Sequence, residues 1–441
     1  MNAPLTEEQK IIHFLNRVTF GPTPAEIDRV KNGGIFPYLE EQLHPEKIPD
    51  PAAEEKLAQL KTVRLSSREL LELYPPPKQA KSRGMDISPM QTPRFVIFEL
   101  QQAKLLRAVY SRRQLYELMV DFWTNHFNVF AGKGADRWLV TSYDRDTIRP
   151  HALGRFRDLL LATARSPAML FYLDNWLSVS PDAVMNRFRP NAKPGPRQGL
   201  NENYARELME LHTLGVDGGY TQKDVMEVAR CFTGWTIRRP RGEPEFLFNA
   251  RMHDPREKVV LGARIPAGGG TQDGMKVIDL LSRHPSTARF IATKLVRRFV
   301  SDDPPVSLVT QVAKVFRESD GDIKELLRAI VESPEFFSPE AVQAKVKKPL
   351  EFIASSLRSV GAETNASPAL LRYLVRMGEL LFLAQPSTGF PDVGSTWVSP
   401  DMLLARINFV TDLSNNRIPG TRANVDKETT FAMVAPEFQR R

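Results

Sequence analysis

The stretch LYELMVDFWTNHFNV, residues 115–129, indicates the fold class. Its apolar residues recur at spacings of three and four, beginning with Leu115, Leu118, Met119 and Phe122. That spacing aligns them along one face of an α-helix, which has about 3.6 residues per turn. The same periodicity recurs on both sides of this stretch. The sequence therefore predicts a mostly α, multi-helix globular domain with a small β-hairpin insertion.

Outward from this stretch, the helical pattern can be followed along most of the chain. Thr6 is a predicted N-cap, because Glu7 and Glu8 follow it in the first turn. Further helices are predicted near 93–109, 111–130, 143–149, 153–165, 201–214, 221–235, 272–284, 286–300, 306–318, 322–332, 344–359 and 367–383. The strand candidates are residues 246–248 and 259–261, which flank His253-Asp254 and could form a hairpin.

One helical domain over residues 1–412 is the simplest organisation, because neither an internal repeat nor a clean linker is evident. Within it, residues 75–93 and 178–199 are predicted as long loops, and residues 244–262 as the small β insertion. Long loops in compact domains are usually functional or disordered. Residues 413–441 are predicted to form an irregular C-terminal tail. The single cysteine, Cys231, excludes an internal disulfide.

The chain is basic, with a formal net charge of +8 and a pI of about 9.4. The excess lies in short runs such as residues 238–241, 297–298 and 345–348. We interpret these runs as a solvated surface. The sequence contains no nucleic-acid-binding motif, which disfavours nucleic acid as a partner. The sequence leaves open whether the partner is an acidic polymer or another protein.

The lack of a recognisable signal peptide predicts a cytoplasmic location. No run of about 18 apolar residues is present, so no membrane span is predicted. The N-terminus MNAPLTEEQKIIHF lacks a basic segment followed by an apolar one, so it does not resemble a signal peptide.

Several segments resemble the bacterial "domain of unknown function 1800" family. They are HFLNRVTFGP (13–22), DFWTNHFN (121–128), MLFYLDN (169–175), NENYARELMELHTLG (201–215), YTQKD (220–224) and FTGW (232–235), followed by His253-Asp254, Lys258 and Leu261-Gly262. The resemblance covers residues 10–412 and implies no particular activity or cofactor. Many relatives look exported, so the resemblance leaves a periplasmic or secreted location open.

His126 is the first candidate site residue. It continues the apolar stripe of the predicted helix 111–130 and should therefore face the core. A buried imidazole needs a hydrogen-bond partner or a metal ion, because an unsatisfied polar group costs of order 1–3 kcal/mol. His126 is thus either a metal ligand or a core histidine bonded to a carbonyl or an asparagine.

The predicted helix 201–214 supplies the second group. Glu207 and Glu210 fall on a polar stripe with Asn203 and Arg206, whereas His212 falls on the other side. This stripe is either a solvated face of ion pairs or the lining of an internal cleft. In a cleft, Glu207 or Glu210 would act as general base or metal ligand.

His253 and Asp254, expected at the tip of the hairpin, form the third group. A His-Asp pair on a constrained loop can bind metal or relay protons, and it can also simply shape a turn before Pro255.

Three functional hypotheses follow from these residues. The leading one is a metal-dependent enzyme, a hydrolase or an oxidoreductase. In it His126, His212 and His253 hold a divalent metal ion, and Glu207, Glu210 and Asp254 supply the catalytic carboxylates. The second is a non-catalytic binding or scaffold protein whose buried polar residues are structural. The third is a binder of an acidic polymer through the basic surface.

Overall fold

Helix boundaries in the computed structural model follow local capping signals. In α1 (Glu7–Val18) the Thr6 side chain accepts from the backbone N–H of Gln9, whose own side chain accepts from the N–H of Thr6. This reciprocal arrangement satisfies two N–H groups that the first helical turn leaves free. The predicted N-cap at Thr6 is confirmed. The structure describes residues 5–82, 84, 86, 88–182, 199–240, 242 and 244–441.

Helices make up most of the described residues, and the predicted mostly α fold class is confirmed. In the first half of the chain they are α2 (Pro24–Gly33), α3 (Ile35–Gln42), α4 (Pro51–Ala58), α5 (Ser67–Leu73), α6 (Pro77–Ser82), α7 (Pro93–Tyr110), α8 (Gln114–His126), α9 (Asp136–Ser142), α10 (Phe156–Arg165) and α11 (Pro167–Tyr172). In the second half they are α12 (Glu202–Glu210), α13 (Gln222–Cys231), α14 (Thr271–Ser282), α15 (Pro285–Phe299), α16 (Val306–Glu318), α17 (Ile323–Val331), α18 (Pro349–Ser359), α19 (Pro368–Arg376), α20 (Pro400–Ser414) and α21 (Lys427–Val434).

Shorter turns of helix connect several of these elements. A π-helical turn spans Tyr143–Ile148, where the sequence predicted a helix. Turns of 3-10 helix span Pro45–Lys47, Thr62–Arg64, Pro89–Gln91, Arg149–His151, Asn175–Leu177 and Gly394–Trp397. None of the helices among the described residues combines the length and the hydropathy that a membrane crossing requires.

The strands form three small antiparallel pairs: β1 (Trp235–Arg238) with β2 (Glu245–Phe248), β3 (Lys258–Val260) with β4 (Ala263–Ile265), and β5 (Glu363–Thr364) with β6 (Thr421–Arg422). The prediction that residues 246–248 pair with residues 259–261 is therefore wrong. Each segment pairs instead with a neighbour closer in sequence, and His253 and Asp254 lie between two hairpins rather than at a hairpin tip.

Two further predictions about irregular segments need correction. The predicted loop 75–93 contains helix α6 and a 3-10 turn. The tail 413–441 is not irregular, because it contains β6 and α21 and its last residues pair with residues 345–347 through backbone hydrogen bonds. Most of the predicted loop 178–199 lies outside the described residues.

Helix α8 positions the candidate site because it lies between two clusters of buried hydrophobic residues. Leu115, Met119 and Phe122 belong to the larger cluster, and Leu118 belongs to the smaller one. Packing on both sides fixes the rotation of the helix about its axis. The side chains of its polar residues Asp121 and Asn125 therefore leave the helix in fixed directions.

Candidate active site

His126 ends helix α8 and faces the core, as the apolar stripe predicts, with 3% of its surface exposed. Its Nε2 lies 3.1 Å from the carbonyl oxygen of His212, and the two imidazole rings are 6.3 Å apart. Because a carbonyl only accepts, Nε2 carries the proton and Nδ1 keeps its lone pair. Among the described residues, Nδ1 has no hydrogen-bond partner.

Both imidazoles are neutral near pH 7. Burial, assisted by the positive charge of Lys294, lowers the pKa of His212 to about 3. The same two causes, with a contribution from His212, hold the pKa of His126 well below its ordinary value. The pair therefore offers lone pairs and N–H groups rather than positive charge.

Helix α12 ends at Glu210, earlier than predicted, so His212 lies in the turn that follows and donates its backbone N–H to the Glu207 carbonyl at 3.0 Å. Burial raises the pKa of the Glu207 carboxyl, to which the Ser387 hydroxyl donates a hydrogen bond. The Glu210 carboxylate accepts from the Tyr220 hydroxyl at 2.8 Å. Glu207, half-buried, is thus the member of the polar stripe that joins a buried environment.

His253 and Asp254 belong to a different network. His253 Nδ1 lies 2.8 Å from the Thr233 carbonyl oxygen, and Nε2 lies 3.1 Å from the Asp273 carboxylate. Burial would raise the pKa of the Asp254 carboxyl, but hydrogen bonds from Arg256 and Arg230 hold it far below its ordinary value. Both His253 nitrogens and the Asp254 carboxylate are therefore bonded within the protein.

The predicted ligands thus divide into two separate sets. His126 and His212 face each other, and His253 is bonded to Thr233 and Asp273. In the part of the chain that the structure describes, no group of three or more His, Cys, Asp or Glu side chains is arranged to hold a metal ion.

A set of six charged side chains lies next to the His126–His212 pair and was not predicted as a site. We call it the charged crevice; it comprises Lys104, Asp121, Lys294, Lys348, Glu379 and Asp392. Lys104 Nζ lies 2.6 Å from the Asp121 carboxylate, and Lys294 Nζ lies 3.1 Å from the Asp392 carboxylate. Lys348 Nζ approaches the other Asp392 oxygen at 3.5 Å. Positive and negative groups thus alternate along the crevice.

Glu379 occupies the most enclosed position in the crevice and is 3% exposed. Its carboxylate accepts from the backbone N–H of Leu350 at 2.7 Å, at the N-terminus of helix α18. Glu379, Asp121, Lys104 and Lys348 line a cavity of about 20 Å³, which is large enough for one water molecule.

The crevice is nevertheless open to solvent at its mouth. The side chains of Lys104, Asp121 and Lys348 each keep 14% exposure, and that of Asp392 keeps 25%. Part of each of these four side chains is therefore in contact with solvent.

The two carboxyl groups of the cavity have opposite pKa shifts. Burial and the nearby charge of Asp121 raise the pKa of Glu379 to about 7, against the opposing effect of Lys348. Burial would also raise the pKa of Asp121, but Lys104 and Lys348 outweigh it and hold that pKa below its ordinary value. Asp121 is therefore ionised at neutral pH, whereas Glu379 exchanges its proton near pH 7.

Residues 384–394, which we call the crossing segment, pass over this region. The Asn128 amide donates to the carbonyls of Ala384 and Pro386, and Asn125 exchanges two hydrogen bonds with the backbone of Phe390. Gly389 has a φ of +71° and lies so close to Asn125 that a Cβ there would be 2.5 Å from its carbonyl oxygen. The asparagines of the DFWTNHFN motif therefore hold the crossing segment.

We expect Glu379 to make the stability of the protein depend on pH. Its pKa of about 7 in the folded protein exceeds the ordinary value of 4.5, so the folded chain keeps a proton that the unfolded chain releases between these pH values. The stabilising contribution of this proton is complete below about pH 4.5 and is lost as the pH rises through 7, with a slope of at most about 1.4 kcal/mol per pH unit.

Urea unfolding from about pH 5 to about pH 8 measures this effect. The free energy of unfolding of wild type should fall relative to that of Glu379→Gln across this range. Asp121 and Asp392 have lowered pKa values and therefore titrate below this pH range. Parallel curves for the two proteins would show that Glu379 titrates normally.

Sequence reasoning missed the crevice because isolated lysines and acids resemble surface residues. The interpretation of residues 345–348 as solvated surface is wrong, because Lys345 and Lys347 are only 3% and 4% exposed. The remaining signal was Asp121, which is charged, follows three apolar residues (Leu118 to Val120) and lies on the same helix as His126.

The fold and the site together define a mostly α-helical protein with small sheets and an enclosed crevice of mixed charge. A family model described as "Protein of unknown function (DUF1800)" matches residues 13–440. The chain belongs to that family. A search of the curated proteins and a search of the solved structures each found no match.

Proposed function

We propose that the protein is a hydrolase that uses the charged crevice as its active site and acts on a small anionic ester. The observation that carries this proposal is the placement of Asp121 and Glu379, with opposite pKa shifts, in one water-sized cavity with two lysines. Two carboxyl groups whose environments separate their pKa values are typical of acid–base catalysis.

Glu379 is the proton acceptor in this proposal. A carboxylate whose pKa lies near the working pH can take a proton from a water molecule and later return it to the leaving group. The cavity beside Glu379 has room for that water molecule. Asp121 stays ionised and keeps Lys104 in place through their 2.6 Å ion pair.

The lysines determine the class of substrate. Lys104 and Lys348 present ammonium groups at the mouth of the cavity, where they can pair with a substrate carboxylate or phosphate. The same charges stabilise negative charge that develops on oxygen during hydrolysis, and such stabilisation is worth more in a site with little water. Lys294, which is paired with Asp392, adds a third ammonium group to the crevice.

The experiment measures the hydrolysis of p-nitrophenyl phosphate, an anionic ester, and of p-nitrophenyl acetate, a neutral one, by wild type, Glu379→Gln and Glu363→Gln, and the anionic ester should be preferred. Loss of a general base typically costs about a hundredfold or more, so Glu379→Gln should lose about that factor in kcat/KM. Glu363 is an exposed glutamate in an ion pair with Lys56, and Glu363→Gln should retain the wild-type rate. The wild-type rate should increase with pH through about 7. Equal rates for wild type and Glu379→Gln would contradict the proposal.

A metal-dependent enzyme with His126 and His212 as ligands is the second candidate. It is favoured by the Nε2–H of His126, which donates to a main-chain carbonyl and leaves the Nδ1 lone pair without a partner. Imidazoles that bind metal usually donate their other N–H in this way. The two imidazoles would supply lone pairs to a divalent ion, which would polarise a substrate or lower the pKa of a bound water molecule. Hydrolysis that is lost in His126→Ala and on chelation, but kept in Glu379→Gln, would favour this candidate.

A further inference from the structure

A second cavity, of about 540 Å³, lies outside the charged crevice. It is lined by apolar residues of α1 and of the C-terminal segment, among them Ile12 and Phe438, and by the basic residues Lys347, Arg440 and Arg441. Its volume is in the range of small-molecule sites. The proposed hydrolase reaction does not use it.

Lys347 is the unusual residue in this cavity. It is 4% exposed, and its ammonium group lies 3.8 Å from the centre of the Phe438 ring. Glu351, whose negative charge acts on Lys347, is already paired with Arg298 and Arg441. No carboxylate among the described residues forms an ion pair with Lys347.

The backbone holds Lys347 in place. Its N–H donates to the Gln439 carbonyl at 2.9 Å, and its own carbonyl accepts from the Arg406 guanidinium at 2.7 Å. Because the side chain is buried among apolar and cationic groups, its charged form is disfavoured and the pKa of Lys347 falls to about 7. A buried lysine of this kind is often the amine that reacts with carbonyl compounds.

We propose that Lys347 is a nucleophilic amine that forms an imine with a small carbonyl compound carrying a carboxylate group. The Nζ lone pair attacks the carbonyl carbon, and the electron pair of the C=O bond moves to the oxygen. Proton transfer gives a carbinolamine, which loses its hydroxyl as water while nitrogen loses its remaining proton. An amine and a carbonyl compound thus become an imine and one water molecule, with no oxidant or reductant.

The carboxylate requirement follows from the remaining polar groups of the cavity. Arg440 lines it with an exposed side chain, and a guanidinium can pair with a carboxylate through two parallel hydrogen bonds. Glu437 is the acidic residue in the lining, and its side chain is exposed to solvent. A 2-oxo acid is the simplest compound that has both a carbonyl group for the Lys347 amine and a carboxylate for a guanidinium group.

The test treats the full-length protein with pyruvate and sodium cyanoborohydride, which reduces an imine to a stable amine, and maps the adducts by peptide mass spectrometry. Within wild type, Lys347 should be labelled at least about tenfold faster than the exposed Lys61, because burial lowers the pKa of Lys347 to about 7 and leaves much of its amine neutral at that pH. The rate at Lys347 should increase as the pH rises through 7. Because both lysines are in one chain, this comparison needs no variant.

Two further comparisons complete the labelling experiment. Acetone replaces pyruvate to test the carboxylate, and it should label Lys347 at least about tenfold more slowly. In Lys347→Met the fast adduct should disappear, whereas in Lys61→Met it should persist. Labelling of Lys347 no faster than Lys61, or equal labelling by pyruvate and acetone, would overturn the proposal. Neither result depends on the hydrolase assay.

Discussion

The variant Glu351→Gln is expected to lose about 5 kcal/mol of its free energy of unfolding, enough to unfold many proteins of this size. Glu351 is 4% exposed and lies 2.6 Å from the Arg298 guanidinium and 3.2 Å from that of Arg441. Arg17, which has no exposed surface, is close enough for its pKa to respond to Glu351. Glutamine keeps the shape but removes the negative charge, so buried guanidinium groups lose their counterion.

The size of the effect follows from the cost of breaking a buried ion pair, which is about 3–5 kcal/mol when one partner is removed. Glu351 is the ionic partner of two arginines, so we expect a loss at the upper end of this range. Burial and the neighbouring Arg298 lower the pKa of Arg17 to about 9, whereas Glu351 raises it, so the Glu351 carboxylate favours the charged form of Arg17.

Urea unfolding followed by circular dichroism measures the loss. The matched control is Glu363→Gln, which breaks an exposed pair with Lys56 and should cost about 1 kcal/mol or less. Glutamine at 351 can still accept the backbone N–H of Lys348, so the start of helix α18 keeps this bond. Similar midpoints for the two variants would refute the idea that Glu351 neutralises the buried arginines.

The second large effect is expected at Lys258 and Asp273, which are 1% and 0% exposed and are joined at 2.6 Å. Replacement of Asp273 by asparagine leaves the Lys258 ammonium buried without its carboxylate, and we expect a loss of about 3–5 kcal/mol. The same change removes the charged partner of His253 Nε2.

A double-mutant cycle tests whether the pair acts as a unit. The double variant Lys258→Met with Asp273→Leu replaces both charges by apolar groups and should be more stable than Lys258→Met or Asp273→Leu alone, because no charge remains unpaired. Additive losses would show that Lys258 and Asp273 do not depend on each other. A double variant that loses much less stability than the sum of the single losses would support a structural role for the network of Lys258, Asp273 and His253.

The sequence predicted the helices well, because a helix that packs against a core must repeat its apolar residues every three or four positions. Helix α16 begins and ends at the predicted residues, 306 and 318. Strand pairing was predicted wrongly, since the partner of a short strand depends on contacts that local alternation does not encode. Strand β1 begins at Trp235, inside a predicted helix that in fact ends at Cys231.

The candidate site was only partly accessible from the sequence. The apolar stripe of α8 predicted that His126 is buried, because this follows from one helix. The charged crevice draws Lys104, Asp121 and Lys294 from three different helices, and each has an ordinary sequence context. Their proximity is a property of packing, and an isolated sequence gives no spacing rule for it. The burial of Lys347 is likewise a result of packing, because its run of basic neighbours predicted a solvent-exposed position.

The bonds that hold the crossing segment reach its main chain. Asn125, Asn128 and Tyr172 bind carbonyl or N–H groups at positions 384, 385, 386 and 390, none of which depends on the side chain at that position. The side chains of Gln385 and Thr388 meanwhile face solvent. The path of this segment and the chemical character of its outer surface are thus set independently. Substitutions at those two positions would therefore change the chemistry of this outer surface while the main chain keeps its course.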